Sequence, residues 1–321
     1  MFRVLESFGV IGPFLPRLVV DAELAMPLFT VSLQRNALDI GGNVGMLSIG
    51  ELPAGTTPEE LTWVPLRNYT FAEGGIPAPP NSPSEVYPIA WEVMLDDVYL
   101  DGVKLPRSNL SDANITLSAL IDTGNSHLRG PDDVVKLIYR TLSGGRSSVG
   151  EFRCDEPHTL AFSFGGKLFP VDPRDFTQQR YTDNIRTCGP ALLSTDPPER
   201  GGYLFSWSLG TPFLKSVLSA YYYGNITYPS SDPARMGFKS TVPPNANQLL
   251  LDAVASASRL NNFPMRIVPA PSGTATSSEA TEAAQTGGGA ASPRPSSSGK
   301  RLDAHHWLGA AALALVARNV L

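Results

Sequence analysis

One segment of the sequence places an acid, a hydroxyl and a glycine directly after a run of apolar residues. It spans residues 119–126 with the sequence ALIDTGNS, so that Asp122, Thr123 and Gly124 follow the apolar run. A strand of the buried type delivers its final Asp to the end of a hydrophobic core, where burial disfavours the charged carboxylate. The glycine permits another backbone to approach closely. The segment is either a carboxyl group poised for proton transfer or an Asx turn after an edge strand.

The elements around this segment are predicted to be short strands joined by tight turns. Residues 91–100 alternate between apolar and polar side chains over much of their length, and Asp101-Gly102 then predicts a hairpin turn. Residues 159–164 place alternate apolar side chains on one face before a second turn at Gly165-Gly166. Such a succession of strands and turns is typical of an all-β domain.

One helix is predicted soon after the candidate segment. Pro131 stands at its first position, and Asp132 and Asp133 follow where the helix dipole favours negative charge. Apolar residues then recur with helical spacing at Val134, Leu137, Ile138 and Leu142. Strands and helix together predict antiparallel β-sheets that carry short helices.

Composition narrows the class of protein further. The chain has 321 residues with 29 glycines and 29 prolines, which is typical of turn-rich β domains. Its net charge of −5 argues against a nucleic-acid partner, because such partners need a large basic surface. Two cysteines cannot form a four-thiolate zinc site, and the four histidines show no ligand spacing. Neither a metal nor another cofactor is predicted.

The candidate segment and its surroundings resemble the pepsin-like aspartic protease family (peptidase A1). The family's second active-site motif has two apolar residues, then Asp-Thr-Gly-x-Ser, and then Gly-Pro before a helix; here Gly130-Pro131 occupy that last place. Further segments agree with the family in order and spacing: residues 28–33, 45–50, 61–66, 91–103, 208–210, 213–214 and 236–238. The resemblance implies that residues 28–243 are the carboxyl-terminal lobe of such a protease, with an all-β pepsin-like fold of antiparallel sheets and short helices.

The resemblance also implies roles for single residues of the motif. Asp122 is expected to be one of two catalytic aspartates, supported by Thr123, Gly124, Asn125 and Ser126. Thr123 is expected to hydrogen-bond across paired loops, and Ser126 to help fix the turn. Asn125 stands where the family usually carries a hydroxyl, and its amide N–H is expected to replace that donor to the aspartate.

Other implications of the resemblance concern residues outside the motif. Cys154 and Cys188 match the disulfide of the carboxyl-terminal lobe, which would form in an oxidising compartment. His127 is either a loop residue or a residue that lines the substrate cleft. The expected substrates are polypeptides, and the family's mechanism uses two carboxyl groups without a cofactor.

Only one Asp-Thr-Gly motif is present, although the family's mechanism needs two aspartates. The resemblance therefore implies that the amino-terminal lobe is missing and that residues 1–27 are a remnant of that lobe and of the inter-lobe segment. Three interpretations follow. The chain is a truncated product of a longer GPI-anchored aspartic endopeptidase, a non-catalytic GPI-anchored glycoprotein built on an orphan lobe, or an enzyme in which two copies each donate Asp122. In the first and third, the missing lobe or a second chain completes the active site.

Four sequons favour a secreted glycoprotein, and they lie at Asn68, Asn109, Asn114 and Asn225. Residues 244–298 are predicted to be a stalk rich in Ser, Thr, Ala, Gly and Pro. The composition from Pro269 onward cannot bury enough apolar area to offset the entropy of ordering.

The end of the sequence favours attachment to a lipid anchor. The small residues Ser296, Ser297 and Ser298 precede residues 299–321, in which a polar spacer leads into an apolar tail. That order is what a GPI-attachment signal requires. The predicted location is the extracellular surface of the cell, on the plasma membrane or the cell wall, with the anchor as the only contact to the membrane.

Overall fold

The computed structural model describes residues 14–34, 45–181, 184–199 and 203–259. Most of the predicted stalk, from residue 260 onward, lies outside the described residues, as do Ser296, Ser297, Ser298 and the attachment signal.

Strands dominate the described part of the chain. They are β1 (Leu28–Ser32), β2 (Met46–Ile49), β3 (Thr62–Pro65), β4 (Glu92–Met94), β5 (Asp97–Leu100), β6 (Val103–Lys104), β7 (Ser118–Ile121), β8 (Leu128–Pro131), β9 (Phe152–Arg153), β10 (Leu160–Phe164), β11 (Lys167–Pro170), β12 (Thr177–Tyr181), β13 (Asn184–Pro190), β14 (Leu192–Thr195), β15 (Trp207–Leu209), β16 (Val217–Tyr222) and β17 (Arg235–Ser240). The helices are α1 (Phe14–Val20), α2 (Asp132–Leu142), α3 (Pro173–Phe176), α4 (Thr211–Leu214) and α5 (Ala246–Arg259). The predicted all-β fold class with short helices is confirmed.

The strands form four sheets. A five-stranded antiparallel sheet has the order β2-β1-β16-β17-β3, a four-stranded sheet has the order β11-β10-β5-β6, and a three-stranded sheet has the order β12-β13-β9. The remaining five-stranded sheet, β14-β8-β15-β7-β4, carries Asp122 at the end of β7 and is called the Asp122 sheet below. It is mixed rather than purely antiparallel, because β15 runs parallel to β7 and β14 runs parallel to β8.

The two predicted hairpins are present. Asp101 and Gly102 connect β5 to β6 with positive φ angles of 49° and 79°, as expected for the residue pair that a tight hairpin turn favours. Gly165 and Gly166 connect β10 to β11 with φ angles of 56° and 76°. These turns fix the register, so that alternate side chains of β10 all point into the core.

Aromatic side chains fill the centre of the core. Phe162 and Phe164 of β10 lie against Phe213 of α4 and Phe238 of β17, and the four rings are fully buried. Burying one such side chain stabilises a fold by about 1.5–3 kcal/mol. Phe162 also contacts the edge of Trp207 at the start of β15, with ring centroids 5.4 Å apart. The core thus reaches the central strand of the Asp122 sheet.

Helix α2 begins one residue later than predicted. Pro131 ends β8 and caps the helix, which starts at Asp132. The predicted apolar stripe is buried at Val134, Ile138 and Leu142, whereas Leu137 is half-buried. The helix packs on the sheet through Tyr139, whose hydroxyl donates to the carbonyl oxygen of Leu192 over 2.6 Å.

Helix α5 moves the end of the folded region beyond Pro243. The structure corrects the prediction that the stalk spans residues 244–298, because Ala246–Arg259 are helical and pack against α3 and β13. The buried residues Ala246, Leu250, Val254 and Ala257 follow the spacing of one helical face. This stripe ends before the Ser- and Thr-rich composition begins.

The predicted disulfide between Cys154 and Cys188 is confirmed. It joins the residue after β9 to the middle of β13, across 34 positions of the chain, and both cysteines are buried. In the chain-entropy description, a loop of this length stabilises the fold by roughly 3–4 kcal/mol.

Candidate active site

The Asp122 loop, residues 122–127, lies between β7 and β8 and is held by the strand inserted between them. The backbone N–H of Asp122 donates to the carbonyl oxygen of Leu209 on β15 over 3.0 Å. The N–H of Gly210 donates in return to the carbonyl oxygen of His127 over 3.2 Å. Both ends of the loop are therefore bound to the end of β15.

A close backbone approach at Gly210 permits this arrangement. A Cβ atom at this position would lie 2.1 Å from the carbonyl oxygen of Asn125 and 2.4 Å from that of His127, so a larger residue does not fit. The next residue, Thr211, donates from its backbone N–H (2.8 Å) and from its hydroxyl (3.2 Å) to the same carbonyl oxygen of Asn125. The Asp122 loop and the start of α4 are thus tied together.

The carboxylate of Asp122 is half-buried and accepts one hydrogen bond on each oxygen. The backbone N–H of Gly124 donates to Oδ1 over 3.0 Å, as in an Asx turn. The hydroxyl of Ser208, in the middle of β15, donates to Oδ2 over 3.2 Å. Both donors are uncharged, and among the described residues the carboxylate forms no ion pair. A carboxylate has about four acceptor sites, so the two hydrogen bonds leave it able to take up a proton.

Asn125 acts through Ser208 rather than on Asp122. Its amide nitrogen donates to Ser208 Oγ over 3.0 Å, and its amide oxygen accepts from the backbone N–H of His127 over 3.0 Å. The expectation that Asn125 donates directly to Asp122 is therefore wrong. Ser208 was not predicted as a site residue, and the available signal was a hydroxyl between the apolar residues of a buried strand.

The other motif residues lie on the outer side of the loop. Thr123 and Ser126 are exposed, and Ser126 Oγ lies 3.0 Å from Nδ1 of His127. The turn itself is closed by the amide of Asn125 and by the Asx bond to Gly124. The predicted contact of Thr123 with a second loop stays a prediction, as does the choice between the two roles considered for His127.

An aromatic cluster lies close to Asp122. Tyr221 of β16 stacks on Phe29 with centroids 4.4 Å apart and meets the edge of Trp91 at 5.0 Å. Burial, together with the negative charge of Asp122, raises the pKa of Tyr221 to about 12. Tyr221 therefore stays neutral at any pH at which a carboxyl group titrates.

A buried glutamate lies on the strand next to β7. Glu92 of β4 is fully buried and accepts hydrogen bonds from the hydroxyls of Tyr69 and Ser118, the latter over 2.5 Å. Nε of Arg67 lies 3.8 Å from its Oε1. Burial raises the pKa of Glu92 above its usual range and outweighs these contacts. Ser118 begins β7 and Asp122 follows its end, so this cluster belongs to the opposite end of the strand.

A separate cavity of about 390 Å³ opens at that opposite end of the Asp122 sheet. Its walls include Leu117, Pro131 and Trp207 together with the chain around Arg107 and Asp112. Asp122 is not among the residues that line it. The cavity is therefore distinct from the candidate active site.

Three further features of the described residues concern metals, membranes and glycans. Within residues 14–34, 45–181, 184–199 and 203–259, no cluster of three or more His, Cys, Asp or Glu is arranged to hold a metal ion. Over the same ranges, no helix has the length and apolar character needed to span a bilayer. The four sequon asparagines, Asn68, Asn109, Asn114 and Asn225, are exposed.

Comparison with known proteins identifies the family. A family model described as "Eukaryotic aspartyl protease" matches residues 3–229. Chymosin of Bos taurus is 22% identical over 235 residues, which cover 69% of this chain and 52% of that protein. Pepsin A of Rhinolophus ferrumequinum is 25% identical over 207 residues (63% and 45%), and aspartic protease 17 of Caenorhabditis elegans is 25% identical over 254 residues (74% and 55%).

The extent of these matches differs between the chain and its relatives. The chain spans about half the length of the curated relatives that it matches. The family model, in contrast, covers well over half of the chain and includes the Asp122 loop and β15. The chain therefore belongs to the eukaryotic aspartyl protease family.

Proposed function

We propose that this chain contributes one lobe of an aspartic endopeptidase and that Asp122 is one of its two catalytic carboxyl groups. The observation that carries the proposal is the setting of Asp122. Its carboxylate stands at the end of a buried strand, is oriented on both oxygens by neutral donors, and remains partly open to solvent. A group held in this way is placed to exchange a proton with the water molecule that attacks the substrate.

Two neighbouring carboxyl groups hydrolyse a peptide bond through the proton that they share. They cannot both ionise at mildly acid pH, so one is charged while the other is protonated. The charged group takes a proton from a water molecule, whose oxygen attacks the peptide carbonyl carbon, while the protonated group donates to the carbonyl oxygen. The tetrahedral product then collapses, the C–N bond breaks, and a proton passes to the leaving nitrogen. In this proposal Asp122 is one member of that couple.

The second carboxyl group comes from outside this motif, since the sequence holds a single Asp-Thr-Gly. A longer form of the protein is the source we favour, because the relatives that match are about twice as long as the matched region. A second copy of the chain, which would donate its own Asp122, is the alternative source. If neither source exists, the chain is a non-catalytic surface glycoprotein with the fold of a protease lobe.

We also propose that the protein works outside the cell. The disulfide between Cys154 and Cys188 is stable in an oxidising compartment, and the exposed sequon asparagines are accessible to glycosylation. Attachment through a GPI anchor at Ser296, Ser297 or Ser298 follows from the sequence of the tail. A phosphatidylinositol-specific phospholipase is expected to release the protein from intact cells. Retention on the cells with the tail still attached would contradict the anchor.

The catalytic proposal is tested on the longest natural form of the protein. That form is expected to cleave an unfolded polypeptide at acid pH, and a statine-type mimic of the tetrahedral intermediate is expected to block the cleavage. Asp122→Asn is expected to abolish cleavage, because an amide cannot take the proton of water.

Asp252→Asn is the matched control for this test. Asp252 is exposed on α5 and accepts a local hydrogen bond from Gln248, so its replacement is expected to leave the rate unchanged. If Asp122→Asn cleaves as fast as Asp252→Asn, the assignment of Asp122 is wrong. If the unsubstituted protein does not cleave at all, the non-catalytic alternative holds.

A further inference from the structure

We propose that Ser208 is a positioning residue for Asp122 and that Asn125 orients the hydroxyl of Ser208; this inference rests on the proposed function. Ser208 lies in the middle of β15 with only 4% of its surface exposed. Its Oγ is 3.2 Å from Asp122 Oδ2 and 3.0 Å from the amide nitrogen of Asn125. The three side chains form a continuous relay from the loop into the sheet.

The direction of every hydrogen bond in this relay is determined by its first donor. A backbone N–H can only donate, so the N–H of His127 fixes the side-chain oxygen of Asn125 as the atom that faces it. The amide NH₂ of Asn125 then faces Ser208, and Oγ of Ser208 must accept from it. The single hydroxyl proton of Ser208 is left to point at Asp122 Oδ2.

Ser208 and its neighbour hold Asp122 by two independent bonds. Leu209 accepts the backbone N–H of Asp122, and Ser208 donates to its carboxylate. Since Gly124 donates to the other carboxylate oxygen, the plane of the carboxyl group is defined by one donor on each side. We therefore expect Ser208 to keep Asp122 in the orientation in which it meets the attacking water.

The first test compares three variants of the longest natural form. Ser208→Ala removes the donor and is expected to lower kcat by about 10- to 100-fold, the factor that corresponds to one hydrogen bond to a charged group. KM is expected to stay within about twofold, because the bond acts on the reacting group rather than on the bound peptide. Ser208→Thr keeps the hydroxyl and is expected to recover most of kcat.

Ser163→Ala provides the control for a purely structural effect. Ser163 is also a buried strand serine whose hydroxyl donates to an aspartate, Asp96, over 3.1 Å, but it lies on β10. Its replacement is expected to leave kcat and KM unchanged. Equal kcat values for the Ser208→Ala and Ser163→Ala variants would overturn the role of Ser208, as would a change confined to KM.

A second test does not depend on catalysis and can be made on the 321-residue chain itself. Urea unfolding is measured for Ser208→Ala, Asn125→Ala and the double variant, with tryptophan fluorescence as the readout. The two residues share one bond, so the double variant is expected to lose less stability than the sum of the single losses. Additive losses would overturn the relay. If the losses are not additive but the protein does not cleave, the proposed function is refuted and the hydrogen-bonded relay stands.

Discussion

Replacing Gly210 with alanine tests the close contact on which the Asp122 loop depends. The added Cβ would lie 2.1 Å and 2.4 Å from two backbone carbonyl oxygens of that loop, and neither belongs to a flexible side chain. The loop and the end of β15 must therefore separate. The perturbation acts through packing alone, because the backbone of Gly210 has φ −92°.

The cost has two parts. Overpacking of this kind costs about 1–3 kcal/mol. Separation also weakens two backbone hydrogen bonds, from Gly210 to His127 and from Thr211 to Asn125, at about 0.5–1.5 kcal/mol each. The expected loss is about 2–6 kcal/mol of the free energy of unfolding, a large share of the roughly 5–15 kcal/mol of an ordinary domain.

Urea unfolding followed by circular dichroism measures this loss, and Gly189→Ala is the matched control. A Cβ at Gly189 on β13 would find its nearest neighbour, Cδ of Arg180, at 3.7 Å, which is ordinary contact. That variant is expected to stay within about 1 kcal/mol of the original protein. If Gly210→Ala unfolds at the same urea concentration as Gly189→Ala, the inserted strand does not constrain the loop as described.

Two further predictions concern the buried glutamate and the last helix. Because the pKa of Glu92 is raised in the folded state, the folded protein holds its proton more tightly than the unfolded chain. The free energy of unfolding is therefore expected to fall as the pH rises above about 4.5 and through the raised pKa of Glu92. Glu92→Gln is expected to flatten this fall in thermal melts. The control variant Glu156→Gln, at an exposed residue, is expected to leave the fall unchanged. Melts of the two variants that show the same slope with pH would contradict the assignment. Leu250→Ala in α5 is expected to lower the free energy of unfolding by about 2–5 kcal/mol, because Leu250 is buried. Asn247→Ala, at an exposed position of the same helix, is expected to leave the free energy of unfolding almost unchanged. Equal losses in the two variants would show that α5 does not pack as described.

The sequence predicted those secondary-structure elements that are determined by residues close together in the chain. The hairpin turns at Asp101-Gly102 and Gly165-Gly166 follow from residues that accept positive φ, and the helix after Pro131 follows from its apolar spacing. The end of β7 at Asp122 follows from an apolar run that stops at an acid. In each case, the residues that determine the structure are neighbours in the sequence.

The parts that could not be predicted depend on residues far apart in the chain. Nothing near residue 122 indicates that β15 inserts between β7 and β8, or that Ser208, 86 positions later, donates to Asp122. The same is true of Glu92, whose partners Tyr69 and Ser118 lie on either side of it in sequence. Helix α5 was missed for a different reason. Its apolar stripe is short, and it directly precedes a segment whose composition predicts disorder, so the stripe was assigned to the stalk.

The insertion of β15 also has a consequence for synthesis of the protein. The ribosome makes Asp122 first, and Ser208 follows only after 86 further residues. At roughly 5–20 residues per second, this interval lasts about 4–17 s. During that time the nascent carboxylate has neither the hydroxyl of Ser208 nor the strand that will hold its backbone. The hydrogen bonds with β15 that orient Asp122 can therefore form only after the segment that contains Ser208 has been synthesised.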